Sequence, residues 1–209
     1  MRTEQIRTMI ANGVRDEQQT GRLAETLRNF AKTNGANLTE KEIEGVAESI
    51  RDYIEHVPFY LEQAMTAAGQ AGLAVEMGEL INQLESYWFE PNDMLPDRLG
   101  LLGLVDDAYA SLFLLQSISD HCQTAFGRPL LEINLTGINQ IIHNLIGEPL
   151  ASQLDQRVAV TIQQVMAQRF LTQFSKHQPF SFGGTPDPIW GNASIDEIVR
   201  VRLGAMGIF

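Results

Sequence analysis

Residues 40–62 read EKEIEGVAESIRDYIEHVPFYLE. Ile43, Val46, Ala47, Ile50, Ile54, Val57 and Leu61 recur there at three- and four-residue spacing. That rhythm gathers them on one side of a helix and leaves the charged residues on the other. Thr39-Glu40-Lys41-Glu42 stands in front as a capping box. The threonine hydroxyl can take the N3 amide while Glu42 reaches back to the amide of the cap. Pro58 has no N–H, and its ring crowds the carbonyl four residues earlier. The helix that opens at Glu40 is therefore expected to kink or break at Pro58.

The same rhythm continues outward from this stretch. Leu73, Met77, Leu80, Ile81, Leu84 and Trp88 form one stripe, and Leu135, Ile138, Ile141, Ile142 and Leu145 another. A third runs through Leu154, Val158, Ile162, Val165, Met166, Phe170 and Phe174. Ser194 to Glu197 is a second capping box, and Asp16 with Gln19 reads as a similar cap. The spacings predict helices near 3–12, 17–33, 40–56, 58–68, 71–89, 105–126, 135–147, 150–176 and 195–205. No stretch alternates with β-branched enrichment, so no strand is expected. Two segments read as loops, 90–103 and 178–192, both rich in proline and glycine. The expected fold class is all-α: a single irregular multi-helix bundle, one domain over residues 1–209.

Composition narrows the function classes. Hydrophobic residues are 44% and charged residues 20% of the 209, ordinary for a packed chain. A single cysteine, Cys122, excludes an internal disulfide and a cysteine-based zinc cluster. Fifteen Lys and Arg against 26 Asp and Glu give a net charge of −11. That charge argues against nucleic acid as a partner, because phosphates are met by clustered cations. The acidic excess is strongest from Glu40 to Glu62, either the solvated side of one helix or a docking face for a basic protein. Met1 to Asp16 has no apolar core of a signal peptide. Leu99 to Leu115 is the most apolar stretch, but it is short for a membrane span and interrupted by Asp106 and Asp107. A cytoplasmic location is expected, with the lone thiol in keeping.

Residues 87–115 read YWFEPNDMLPDRLGLLGLVDDAYASLFLL. Pro91-x-Asp93-x-x-Pro96-Asp97 is followed by Gly100, Gly103 and the Asp106-Asp107 pair. This frame resembles the YkvA-like domain, a small α-helical module of unassigned activity. It departs from that family's pattern at Met94-Leu95 and at Arg98. The resemblance implies a helical hairpin over residues 87–126, between N-terminal helices in 1–86 and C-terminal helices and a loop in 127–209. It implies no reaction, and it raises a peripheral membrane association as one alternative role.

The residues of that frame have a reading of their own. Asp93 suits an Asx turn, and Asp97 can cap the short turn that follows. Asp106 and Asp107 fall at a helix start, where orphan amides and the helix dipole favour carboxylates. Gly100 and Gly103 allow close approach or positive φ. The alternative is a metal site. Asp93, Asp97, Asp106 and Asp107 are four hard oxygen donors suited to Mg²⁺, Mn²⁺ or Ca²⁺, and such a site would make the protein a metal-dependent hydrolase. His56, His121, His143 and His177 make no paired-ligand spacing, and Cys122 reads as a buried, inert thiol.

In the late loop, Phe182 and Trp190 are candidate partner contacts, and so are Ile208 and Phe209 in the apolar end AMGIF. An apolar end buries itself in its own bundle or in a second copy as a homodimer. The expected function is a non-catalytic protein–protein interaction module, an adaptor or an inhibitor of the immunity type, acting without a cofactor on a basic partner.

Overall fold

The 40–62 stripe folds as two helices. α3 (Glu40–Glu55) ends at His56, and α4 (Val57–Gln70) starts at once with Pro58 in its first turn. Proline is tolerated there because its missing N–H would have no helical acceptor. The capping box forms in front of α3: Glu42 Oε2 accepts the Thr39 N–H at 2.7 Å. The computed structural model describes residues 2–33, 35–89, 95 and 97–165. Of these, 84% are helical, and none lies in a strand. The other described elements are α1 (Thr3–Thr20), α2 (Arg22–Thr33), α5 (Ala74–Trp88), a 3-10 segment (Asp97–Leu104), α6 (Val105–Phe126), α7 (Thr136–Ile146) and α8 (Leu150–Val165). The fold is an all-α bundle. The expected helices over 166–176 and 195–205 lie outside the described residues.

α6 is the axis of the bundle. It packs against α3, α4, α5, α7, α8 and the 3-10 segment. A helix enclosed in this way is apolar all round, and Leu112, Leu114, Leu115, Ile118 and Cys122 are all buried. Leu99–Ala125 is long and apolar enough to cross a membrane by length and composition, yet 83% of its most apolar window is buried inside the bundle. Three of its buried polar side chains serve their neighbours. Ser111 accepts the indole N–H of Trp88 at 3.0 Å. Gln116 accepts the amide of Leu135 at 2.6 Å, and Ser119 that of Leu131 at 2.8 Å. The backbone entering α7 thus finds acceptors inside the core, where an unmet amide would be costly. One buried apolar cluster runs from Ile6 on α1 to Val158 on α8.

Two expectations are corrected near the N-terminus. The sequence predicts a break after residue 12 and a cap at Asp16, but α1 runs unbroken to Thr20. Gly13 is a packing residue, since a Cβ there would sit 3.3 Å from the backbone of Leu101. The break comes at Gly21, which takes the left-handed conformation (φ 62°, ψ 26°) that glycine adopts without a Cβ clash. The cap of α2 is Glu17, whose carboxylate accepts the Leu23 amide at 2.9 and 3.0 Å. Asp16 lies inside α1 and pairs with Arg22 at 3.1 Å.

The expected loop over 90–103 is corrected as well. Its later part is the 3-10 segment, broken at Gly100 (φ 64°, ψ −131°) and seated against α1. Leu101 and Leu104 are driven into the core there, which an open loop would not achieve. Further ties hold α1 to the helices beside it. The Arg2 amide donates to the buried carboxylate of Glu85, and Arg7 reaches Glu62 at 2.6 Å.

Candidate functional site

The aspartate frame is described in part. Asp106 and Asp107 stand in the first turn of α6 and are almost wholly buried, at 3% and 4% exposure. Asp106 Oδ2 accepts the Leu95 amide at 3.1 Å, which ties the preceding turn to the helix start. The helix N-terminus favours both charges. The side chains of Asp93 and Asp97 lie outside the described residues. Among the described residues no group of three His, Cys, Asp or Glu side chains is placed to hold a metal ion. Phe182, Trp190, Ile208 and Phe209 also lie outside the described residues.

The acidic side of α3 is fully described. Ile43, Ile50, Tyr53 and Ile54 face inward, and Glu40, Glu44, Glu48 and Glu55 are exposed. Glu40 is held by Arg28, whose guanidinium donates at 2.9–3.1 Å. The hydrogen bond from Arg28 lowers the Glu40 carboxyl below its ordinary range. Glu48 lies 3.5 Å from Arg51. Among the described residues Glu44 and Glu55 make no direct ion pair, although the charge of Glu44 is felt by Arg28. Asp52, beside this row, is raised above the ordinary carboxylate range by partial burial, opposed by Arg51 and His56 and slightly aided by Glu48. Carboxylates four residues apart repel, and each such pair costs a helix roughly 0.2–0.5 kcal/mol. The row Glu40, Glu44, Glu48 contains two such pairs and returns no core contact.

A polar cluster that the sequence does not announce sits where α3, α6, α7 and α8 meet. The Tyr53 hydroxyl donates to Asn139 Oδ1 at 2.6 Å, with both residues buried. The Tyr109 hydroxyl donates to Asp155 Oδ1 at 2.7 Å. His143 Nε2 lies 3.1 Å from Asp155 Oδ2, and with a carboxylate as acceptor that nitrogen carries the hydrogen. Burial raises both phenols well above their ordinary range, and the Asp155 hydrogen bond adds to the effect at Tyr109. Both therefore stay protonated as donors rather than acting as nucleophiles. The cluster joins α6, α7 and α8 through one carboxylate. His143 is engaged there and not with Cys122. Burial pushes the Cys122 thiol up to about 12, opposed by Arg128, so it is inert at neutral pH, as the sequence suggests.

Comparisons with protein-family models, curated proteins and solved structures found no match to this chain.

Proposed function

We propose that this chain is a non-catalytic interaction module, an adaptor or an inhibitor, that docks a basic protein on the exposed side of α3. The observation that carries the reading is the row Glu40, Glu44, Glu48 and Glu55 on a helix whose other side is fixed in the core. A rigid helix displays the charges in register, and two of the four make no direct ion pair among the described residues. Complementary charge of this kind steers encounter and sets specificity, and it weakens as salt screens it. The engaged state of the Tyr109, Asp155 and His143 side chains supports a structural use of the chain's main polar cluster. In the same proposal the YkvA-like frame at 87–115 is scaffold: its second helix is the core that holds α3 in place.

The test is affinity capture from the host's own extract, comparing the wild-type chain with a Glu44→Gln, Glu48→Gln, Glu55→Gln variant. A basic protein held by the wild type, released by salt and lost with the variant is expected. Retention of the same proteins by both chains would overturn the proposal.

A further inference from the structure

A groove of about 550 Å³ runs between α5 and α8, away from the α3 row and on different elements. Its volume lies in the usual range for small-molecule sites, roughly 300–1,000 Å³. The charge of its lining is unlike that of the chain. In a protein of net charge −11 the described residues of this lining include one cation, Arg157, and no carboxylate. Among the described residues no carboxylate pairs with Arg157. A guanidinium in that state presents a flat fork of N–H donors, the geometry that takes a carboxylate through two parallel bonds.

The rest of the lining is a hydrogen-bonding wall. Gln83 comes from α5, and Gln153, Gln156 and Gln164 come from α8. Each side-chain amide offers donors and an acceptor. Ser86 and Thr161 have already given their hydroxyl hydrogens to the carbonyls of Gln83 and Arg157, so each has lone pairs left to offer. A ligand must therefore supply donors of its own as well as an anion. Tyr87 on α5 gives a ring, and Val160 on α8 is 47% exposed. Either can meet the C–H face of a sugar ring, since a tyrosine offers an apolar body as well as a polar end. A carboxylate, several hydroxyls and an apolar face occur together in a uronic acid.

We propose that the α5/α8 groove binds a saccharide carrying a carboxylate, a uronic acid or a short oligomer of one, with Arg157 taking the carboxylate and the glutamines the hydroxyls. This goes beyond the docking role of α3 and does not depend on it.

The probe is D-glucuronate, titrated into the 209-residue chain, with D-glucose and acetate as controls. The readout is the set of side-chain amide signals of Gln83, Gln153, Gln156 and Gln164 in an ¹⁵N-correlated NMR spectrum. Saturable shifts of these signals by glucuronate are expected, with weaker effects from either control. Arg157→Gln should weaken glucuronate by about tenfold or more, the usual loss when a charged hydrogen bond goes. The melting temperature of this exposed-site variant should not change. Gln83→Ala, on the opposite wall, should weaken glucuronate as well and gives a second reading if the first variant folds poorly. No saturable shift with glucuronate overturns the proposal. So does acetate matching glucuronate, which would leave only a guanidinium–carboxylate contact, and so does a folded Arg157→Gln variant that binds glucuronate unchanged.

Discussion

Gly100→Ala tests how α1 is seated on the 3-10 segment. Gly100 has φ 64° and ψ −131°, a backbone region that is nearly closed to residues with a side chain. Holding alanine there costs about 1–3 kcal/mol. Space adds a second cost. A Cβ at Gly100 would lie 3.2 Å from Asp16 Cβ and 3.0 Å from its Cγ, with Oδ2 closer still. The whole Asp16 side chain must then swing away, and its ion pair with Arg22 is lost, at roughly 0.2–1 kcal/mol for an exposed pair. Together these give about 1–4 kcal/mol. For a chain of this size that lowers the melting temperature by about 2–15 °C. Two other glycines calibrate the result. Gly21 also has positive φ, but a Cβ would meet nothing within 4 Å, so Gly21→Ala should cost only about 1–2 kcal/mol. Gly45 is exposed in the middle of α3 with open space around it, and Gly45→Ala should stabilise by about 0.5–1 kcal/mol. Calorimetric or circular-dichroism melts should rank Gly45→Ala above wild type, then Gly21→Ala, then Gly100→Ala. A Gly100→Ala protein that melts with the wild type would refute the packing of α1 described above.

Tyr53→Phe should destabilise by about 1–3 kcal/mol in a denaturant titration, because it leaves the buried Asn139 carbonyl without its donor; an unchanged midpoint would count against that bond. Cys122, buried and pushed up to about 12, should react with a thiol reagent only as fast as the protein unfolds, and free-thiol rates in the native protein would contradict its burial. Asp52 and Glu40 should show opposite pH signs. The folded pKa of Asp52 is raised, so its ionised form weakens the fold at neutral pH, and Asp52→Asn should melt higher there, with the gain vanishing as acid protonates the wild-type carboxylate. The folded pKa of Glu40 is lowered, so its contribution is present above its unfolded pKa and is lost as pH falls through the folded one; Glu40→Gln should melt lower at neutral pH only.

Much of the fold is legible locally. α6 spans 105–126 as the sequence predicts, because a carboxylate pair opens it and Gly127 closes it. α3 starts at its capping box and yields to α4 at Pro58. The helix break near the N-terminus is misplaced because the roles of Gly13 and Gly21 are told apart only by what lies opposite them in the fold. Gly13 faces Leu101, far along the chain, while Gly21 faces nothing and ends a helix. The polar cluster has no local signature either. Tyr53 and Asn139 are 86 residues apart, and Tyr109 and Asp155 are 46 apart. Only the packing of α3, α7 and α8 around α6 brings these groups together. The α3 carboxylate row is the opposite case, since a fixed apolar stripe at helical spacing dictates which residues face water.

The most direct test of the docking proposal is zero-length carbodiimide cross-linking of the captured complex, read by mass spectrometry. Carbodiimide joins a carboxylate to an amine only when the two are in contact. Bonds from Glu44, Glu48 and Glu55 to lysines of the partner are expected. Bonds that arise from carboxylates elsewhere on the chain while the α3 row stays unmodified by the partner would contradict it.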